Sequence, residues 1–76
     1  MTAAPDFEFE EALVGAISHL RAFARSFASD PQRADDLVQE TLVKAWNSRE
    51  SFTPGTNFRA WLFTILRNVY FSQHRK

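Results

Sequence analysis

The last third of the chain carries basic, amide and aromatic side chains at helical spacing, outside the stripe that a core would use. At 100° per residue, one side collects Arg59, Phe63, Arg67, Tyr70 and His74, and a neighbouring sector collects Thr64, Asn68, Phe71 and Arg75. Rings that stack on bases and guanidinium groups that contact phosphates are typical of single-strand nucleic-acid binding. If the helix is instead packed on two sides, its rings are core, which we favour for Phe63. For Arg67, Asn68 and Arg75 we favour binding, because long polar side chains are rarely buried unpaired.

A second set of candidate residues lies in the middle of the chain and is acidic. Asp36, Gln39, Glu40 and Val43 fall within one sector of a helix, opposite its apolar stripe. This sector is either a solvated helix face with a stray valine or a docking site for a basic helix. In a docking site, Val43 would form the centre of the interface, from which water is excluded, and the carboxylates would pair with arginine side chains of the partner. Composition alone leaves both interpretations open.

Residues for catalysis or metal binding cannot be assembled from this sequence. There is no cysteine, and the two histidines, His19 and His74, are too few for a histidine-based metal site. The adjacent Asp35 and Asp36 point about 100° apart on a helix, so they form neither an acid–base dyad nor a metal pocket. The two glycines do not make a phosphate-binding loop. We therefore expect a binding protein without catalytic residues, metal or cofactor.

Length and charge limit the chain to one small domain with two electrically different halves. Its 76 residues are enough for a single modest core. Residues 1–40 carry three basic and eight acidic side chains, a net charge of −5, and residues 41–76 carry six basic and one acidic, a net charge of +5. The halves either meet different partners or neutralise each other in the fold. No apolar stretch approaches the roughly 20 residues that span a bilayer, and the acidic start is unlike a secretory signal, so we expect a cytoplasmic protein with no membrane partner.

Three main helices with short connections are predicted to position these residues, in a compact all-α bundle. After a flexible lead-in over residues 1–8, the first helix runs from about residue 9 to residue 28. Its apolar stripe consists of Leu13, Ile17, Leu20, Ala24 and Phe27. The second helix runs from about Pro31 to Arg49, because Asp30 can cap it and proline suits the first helical position. Its core stripe consists of Ala34, Leu37, Val38, Thr41, Leu42 and Ala45, with Trp46 on the edge.

A loop is predicted to separate the second helix from the third. Proline and glycine interrupt the helical pattern within residues 51–57. Thr56 or Asn57 can then cap a third helix over about residues 58–74. Its inward stripe consists of Phe58, Leu62, Ile65 and Val69, flanked by Trp61 and Leu66. The acidic and the basic sets of residues are expected on opposite flanks of the resulting bundle.

Two runs of residues resemble a known family. These are ADDLVQETLVKAW over residues 34–46 and FTPGTNFRAWLFTILRN over residues 52–68, in this order and at this separation. The chain resembles region 2 of bacterial sigma-70 family sigma factors, within them the extracytoplasmic-function (ECF) group, and in particular the alphaproteobacterial general stress response sigma factors. The resemblance begins at about residue 10, and we assign the sigma factor region 2 helical domain to residues 9–76.

The resemblance implies a partner for each set of residues. In that family the DLVQE helix docks on the clamp helices of the RNA polymerase beta-prime subunit, which implies polymerase binding by Asp35, Asp36, Gln39, Glu40 and Val43. The next loop and helix recognise the minus-ten promoter element as its strands separate, and capture a base flipped from the non-template strand. The implied promoter DNA contacts are Phe52, Thr53, Pro54, Gly55, Thr56 and Asn57 in a base pocket, Asn68 and Ser72 along the strand, and Arg59, Arg67, Arg75 and Lys76 at phosphates.

Family members also carry a second helical domain that reads the minus-35 element, and stress-response members are held inactive by a small anti-sigma factor. The resemblance implies that this chain is an isolated region 2 fragment, which binds polymerase and promoter DNA weakly and does not direct full initiation. The acidic face is then expected to serve polymerase and anti-sigma factor in competition. The alternative is a sigma-like mimic that sequesters an anti-sigma factor without binding DNA. Such a mimic could discard the promoter-binding loop, Arg67 and Asn68, all of which are present.

Overall fold

The fold is all-helical throughout the part of the chain that the computed structural model describes, residues 8–74 without the side chain of His74. The helices are α1 (Phe9–Gly15), α2 (Ile17–Phe27), α3 (Pro31–Asn47) and α4 (Phe58–His74), with a 3₁₀ turn (Arg49–Ser51) after α3. Helices α2, α3 and α4 pack against one another, and α1 directly precedes α2 and contacts it. The all-α prediction is confirmed. Most of the predicted lead-in, residues 1–7, lies outside the described residues, as do Arg75 and Lys76.

The predicted first helix is in fact two, so the count of three main helices is wrong. Ala16 is a turn residue that forms a bend between α1 and α2: its φ of −92° and ψ of −3° remain right-handed but depart from the regular helix values of about −63° and −42°. The N–H of Ala16 still donates to the carbonyl oxygens of Ala12 and Leu13, each at 3.1 Å. Because these bonds carry the helical rotation through the bend, the apolar stripe continues without interruption. The periodicity therefore could not reveal the bend, and the weak helix former Gly15 was its only signal in the sequence.

Helix α3 begins where the sequence predicts and ends two residues early. The Asp30 carboxylate accepts a hydrogen bond from the Gln32 N–H at 3.1 Å, and Pro31 occupies the first helical position. Both features satisfy or avoid amide groups that a helix start leaves unpaired. After Asn47 the chain tightens into the 3₁₀ turn instead of continuing to Arg49 as predicted. The hydroxyl of Ser51 donates to the carbonyl of Ser48 at 2.7 Å, which closes this turn.

The core lies where α2, α3 and α4 meet. From α3 it takes five of the six residues of the predicted stripe, Ala34, Leu37, Val38, Thr41 and Ala45, whereas the sixth, Leu42, is only partly buried. The hydroxyl of Thr41 is satisfied by the carbonyl of Leu37 at 2.7 Å. Helix α4 buries Leu62, Leu66 and Val69, whereas Ile65 is only partly buried. Leu66, predicted on the flank, lies at the centre because α2 and α3 pack on α4 from two sides.

Two aromatic residues of α4 stack on rings of α2. Phe63 stacks on Phe23 of α2 with ring centroids 4.1 Å apart, and Tyr70 stacks on Phe27 at 4.7 Å. The interpretation of Phe63 as a core residue is confirmed. None of the helices in residues 8–74 is long and apolar enough to cross a bilayer.

Candidate functional site

The acidic face of α3, formed by Asp35, Asp36, Gln39, Glu40 and Val43, is exposed along its whole length. The buried stripe on the other side of the helix fixes this orientation. Val43, the apolar residue of this face, leaves 58% of its surface exposed. Four of the five residues also line a shallow groove with Gln73 of α4, and we call this the acidic groove. An apolar centre among carboxylates has the chemistry to bind a basic helix.

The loop after the 3₁₀ turn is anchored by Phe52, which is only 6% exposed. Its ring contacts Phe58 and Trp61 at centroid distances of 5.0 Å and 5.3 Å, and Phe9 of α1 lies 6.5 Å away. The family resemblance implies that Phe52 belongs to a base pocket, but here its side chain is buried against Phe58 and Trp61. Turn residues mark the position of a loop without showing which way a neighbouring ring points, and burying a large ring is favourable. Phe52 is therefore a support of the loop in this structure.

The rest of the loop is exposed and held in a defined turn. The carbonyl of Thr53 accepts from both the hydroxyl and the N–H of Thr56, at 2.7 Å and 3.2 Å. Gly55 adopts a φ of +97°, a backbone angle that residues with a side chain rarely adopt. The Asn57 carboxamide oxygen accepts from the Ala60 N–H at 3.1 Å and caps α4, which decides between the two predicted caps. Thr53, Pro54, Gly55, Thr56 and Asn57 thus form an ordered, solvent-facing turn.

Asn68 and Ser72 line a second groove, which we call the polar groove. It is also lined by Lys44 of α3, by Ser48 directly after α3, and by the apolar side chains of Ile65 and Val69. An ammonium, two hydroxyls and a carboxamide beside apolar side chains can contact both a phosphate and the edge of a base. The sequence did not indicate Lys44 and Ser48, because they approach Asn68 only through the packing of α3 on α4. Their positions one helical turn apart near the end of α3 were the only available signal.

The predicted phosphate contacts are not all brought together. Arg67 is exposed on α4 next to Asn68, outside the polar groove. Arg59 lies at the start of α4 and lines a separate hollow with His19 and residues of the bend between α1 and α2. No group of histidine, cysteine or carboxylate side chains within residues 8–74 is arranged to hold a metal ion.

The acidic and polar grooves adjoin, which corrects the expectation of opposite flanks. Val43 lines the acidic groove and Lys44 the polar groove. On α4 the same division falls between Gln73 and Ser72. The two grooves thus lie one after the other along the interface between α3 and α4. Adjacent helical residues point 100° apart, so Val43 and Lys44, and likewise Gln73 and Ser72, can line different grooves.

The chain belongs to the sigma-70 region 2 family, whose model it matches over residues 11–76. The chain is 55% identical over 64 residues to the ECF RNA polymerase sigma factor EcfG of Rhodopseudomonas palustris (strain TIE-1), which covers 84% of this chain and 35% of EcfG. It is 45% identical over 51 residues to the RNA polymerase sigma factor CnrH of Cupriavidus metallidurans, which covers 62% of this chain and 27% of CnrH.

A solved structure is similar as well. In the co-crystal structure of the sigma factor RpoE in complex with the anti-sigma factor NepR from Bartonella quintana, one chain matches with a TM-score of 0.82 and 52% sequence identity, over 88% of this chain and 42% of the matched chain. The predicted resemblance to ECF sigma factors of the alphaproteobacterial stress-response type is confirmed. The chain spans about a third of the length of the curated relatives described above.

Proposed function

We propose that this domain binds RNA polymerase through the acidic face of α3 and an unpaired strand of promoter DNA through the loop and the polar groove. The observation that carries the proposal is the exposure of both sets of polar residues on helices whose other sides are buried. Asn68 and Arg67, which would have ended the DNA assignment had they been buried, are exposed.

For polymerase, the proposed contact is the clamp helices of the beta-prime subunit. Asp36 and Glu40 would pair with basic side chains of the clamp, and Val43 would be covered by an apolar one. Hydrogen bonds between ionised partners are stronger than neutral ones, and an apolar centre surrounded by polar groups is the usual form of an interface hot spot. Asp35 and Gln39 extend the same face. The name RNA polymerase sigma factor, carried by the matched relatives, supports this partner.

For promoter DNA, the proposed ligand is the non-template strand of the minus-ten element. The turn over residues 53–57 would hold a base that has left the duplex, and the strand would continue through the polar groove, along Asn68 and Ser72. Arg59, Arg67, Arg75 and Lys76 would contact phosphates. Extruding a base costs only a few kcal/mol, and stacking with hydrogen bonds to the captured base offsets this cost. The domain would thus help to separate the strands by binding alone.

Two single substitutions test both halves of the proposal. Asp36→Arg should abolish recovery of a purified beta-prime clamp-helix fragment in a pulldown and leave DNA binding intact. Asn68→Ala should weaken binding of a fluorescein-labelled single strand, measured by anisotropy, and leave the pulldown unchanged. The strand is first selected from a randomised pool by its binding to the wild-type chain, because the preferred promoter is not fixed by the fold. Undiminished clamp recovery by Asp36→Arg, or undiminished strand binding by both Asn68→Ala and Arg67→Ala, would refute the corresponding half.

A third partner is favoured by the similarity to a sigma factor in complex with the anti-sigma factor NepR. We propose that an anti-sigma factor covers the acidic face and thereby competes with polymerase. A purified NepR-type protein should then displace the clamp-helix fragment from the wild-type chain. If it binds the chain while polymerase and single strands do not, the alternative of a sigma-like mimic replaces the initiation role. Simultaneous binding of both proteins would place the anti-sigma contact elsewhere.

A further inference from the structure

Phe71 is the most exposed of the phenylalanine, tyrosine and tryptophan residues of α4. The rings of Phe58, Trp61, Phe63 and Tyr70 are largely buried and face neighbouring rings or the core. Phe71 leaves 54% of its surface exposed, although a phenylalanine gains from burial. The packing of the domain therefore gives no reason for a large ring at this position.

The position of Phe71 continues the polar groove past Asn68. With 100° per residue, Ser72 lies about 40° to one side of Asn68, and Phe71 lies about 60° to the other side. Arg67 is one turn before Phe71 on the same side, and Thr64, one turn before Asn68, lies about 40° from Asn68 on that side; all are exposed. Asn68 thus stands between the groove and an exposed strip in which one ring is bordered by a guanidinium and a hydroxyl.

The ring of Phe71 also has a support behind it. Its centroid is 5.5 Å from that of Tyr70, at an interplanar angle of 60°. Tyr70 is in turn stacked on Phe27 of α2. A ring backed by a packed aromatic neighbour loses less freedom on binding than an isolated one, which favours the use of its remaining surface as a platform.

We infer that Phe71 is a stacking residue for a second unpaired base of the bound strand, on the far side of Asn68 from the polar groove. The inference rests on the proposed strand binding and names a residue that the family resemblance does not supply. Single-stranded nucleic acid fits this strip because Arg67 can meet the phosphate beside a stacked base, and because the strip is continuous with the polar groove. An apolar protein surface would cover the ring but leave Arg67 and Asn68 without partners, whereas the Thr64 hydroxyl already donates to the carbonyl of Ala60 at 3.0 Å.

The experiment measures anisotropy of the selected fluorescein-labelled strand, about 12 nucleotides long, with three Phe71 variants of the 76-residue chain. Phe71→Ala should weaken binding about tenfold, within the range found when stacking residues are truncated. Phe71→Leu keeps apolar volume without a π face and should also weaken binding. Phe71→Trp should bind like the wild type, and its added tryptophan fluorescence should be quenched by the strand. The control is Val14→Ala, which truncates another exposed apolar residue, 63% exposed on α1, and should change nothing.

The outcomes separate this inference from the proposed function. If Asn68→Ala weakens binding but Phe71→Ala does not, the strand binds and the stacking role is wrong. If Phe71→Leu binds as well as the wild type, the ring serves only as an apolar contact and stacking is refuted. If Phe71→Ala impairs recovery of the clamp-helix fragment instead, the strip belongs to a protein interface. If the wild-type chain selects no strand, the proposed DNA binding and this inference fall together. Circular dichroism melting of each variant verifies that its fold is unchanged.

Discussion

The acidic and polar grooves lie at the same helix interface, between α3 and α4, and above the same core, but they are lined by side chains of different chemistry. Asp36 and Glu40 line the first groove, whereas Lys44 and Asn68 line the second. On α3 the change from one charge to the other takes place between Glu40 and Lys44, which are a single helical turn apart. The two proposed binding functions are therefore placed next to each other on one pair of helices.

The strongest test of the comparison is to damage the core that both grooves share. Leu66 is fully buried between α2 and α3, so Leu66→Ala should lower the free energy of unfolding by about 3 kcal/mol. A domain of this length has roughly 4–11 kcal/mol in total, so urea denaturation should show a large shift. Clamp-helix recovery and strand binding should decline together as the folded fraction falls. The near-isosteric Leu66→Met is the control and should cost less than about 1.5 kcal/mol. Loss of one binding activity alone would show that the grooves are held independently.

Sequence reasoning located the elements whose causes are local. Asp30 and Pro31 start α3 by satisfying or avoiding the first amides, and Asn57 caps α4, so both helix starts were predictable from a few neighbouring residues. The bend at Ala16 was not predictable, because it preserves the helical rotation that periodicity measures. The outward direction of the acidic face followed from the apolar stripe opposite it.

The parts that sequence reasoning missed depend on contacts between distant segments. Phe52 turns inward because rings from α1 and α4 surround it, although its neighbours in the chain are typical loop residues. Lys44 and Ser48 join Asn68 only after α3 has packed on α4. Leu66 was assigned to the flank because the sequence of neither helix indicates the direction from which α2 packs against α4. These are effects of tertiary packing, which local propensity and spacing do not encode.

Charge reversal at Glu40 should separate the grooves. Glu40→Lys replaces a proposed partner of a basic clamp residue by a like charge, and removal of a charged hydrogen bond typically costs about 1.5–3 kcal/mol. Recovery of the clamp-helix fragment should therefore fall at least tenfold. Strand binding should be kept or slightly strengthened, since a cation is added beside Lys44. The matched control is Glu50→Lys, which reverses an exposed carboxylate in the 3₁₀ turn. Equal losses for Glu40→Lys and Glu50→Lys would mean that net charge, not the acidic groove, governs docking.

Removal of the α3 cap should affect stability and neither groove. In Asp30→Ala the Gln32 N–H loses its acceptor, which should lower the free energy of unfolding by about 1 kcal/mol. Asp30→Asn should restore most of this, because asparagine caps helices about as well as aspartate. Thermal melting monitored by circular dichroism measures both changes. Binding to strand and clamp helices should be unaltered at a temperature where every variant is folded. A defect in either binding assay at that temperature would show that the α2–α3 turn belongs to an interface.

Substitution of Lys44 gives the finest distinction between the grooves, since it changes a salt dependence more than an affinity. If Lys44 contacts a phosphate of a single strand, Lys44→Gln should reduce the slope of log affinity against log salt by about 0.7. Affinity near physiological salt should fall only a few-fold, because one contact among several is lost. Arg21→Gln, an exposed basic residue of α2, is the control and should leave the slope unchanged. A reduced affinity with an unchanged slope would mean that Lys44 meets a base edge, so that the polar groove reads the strand from both of its walls. If affinity and slope are both unchanged, Lys44 does not contact the strand, and Asn68 and Ser72 are the remaining proposed contacts in the polar groove.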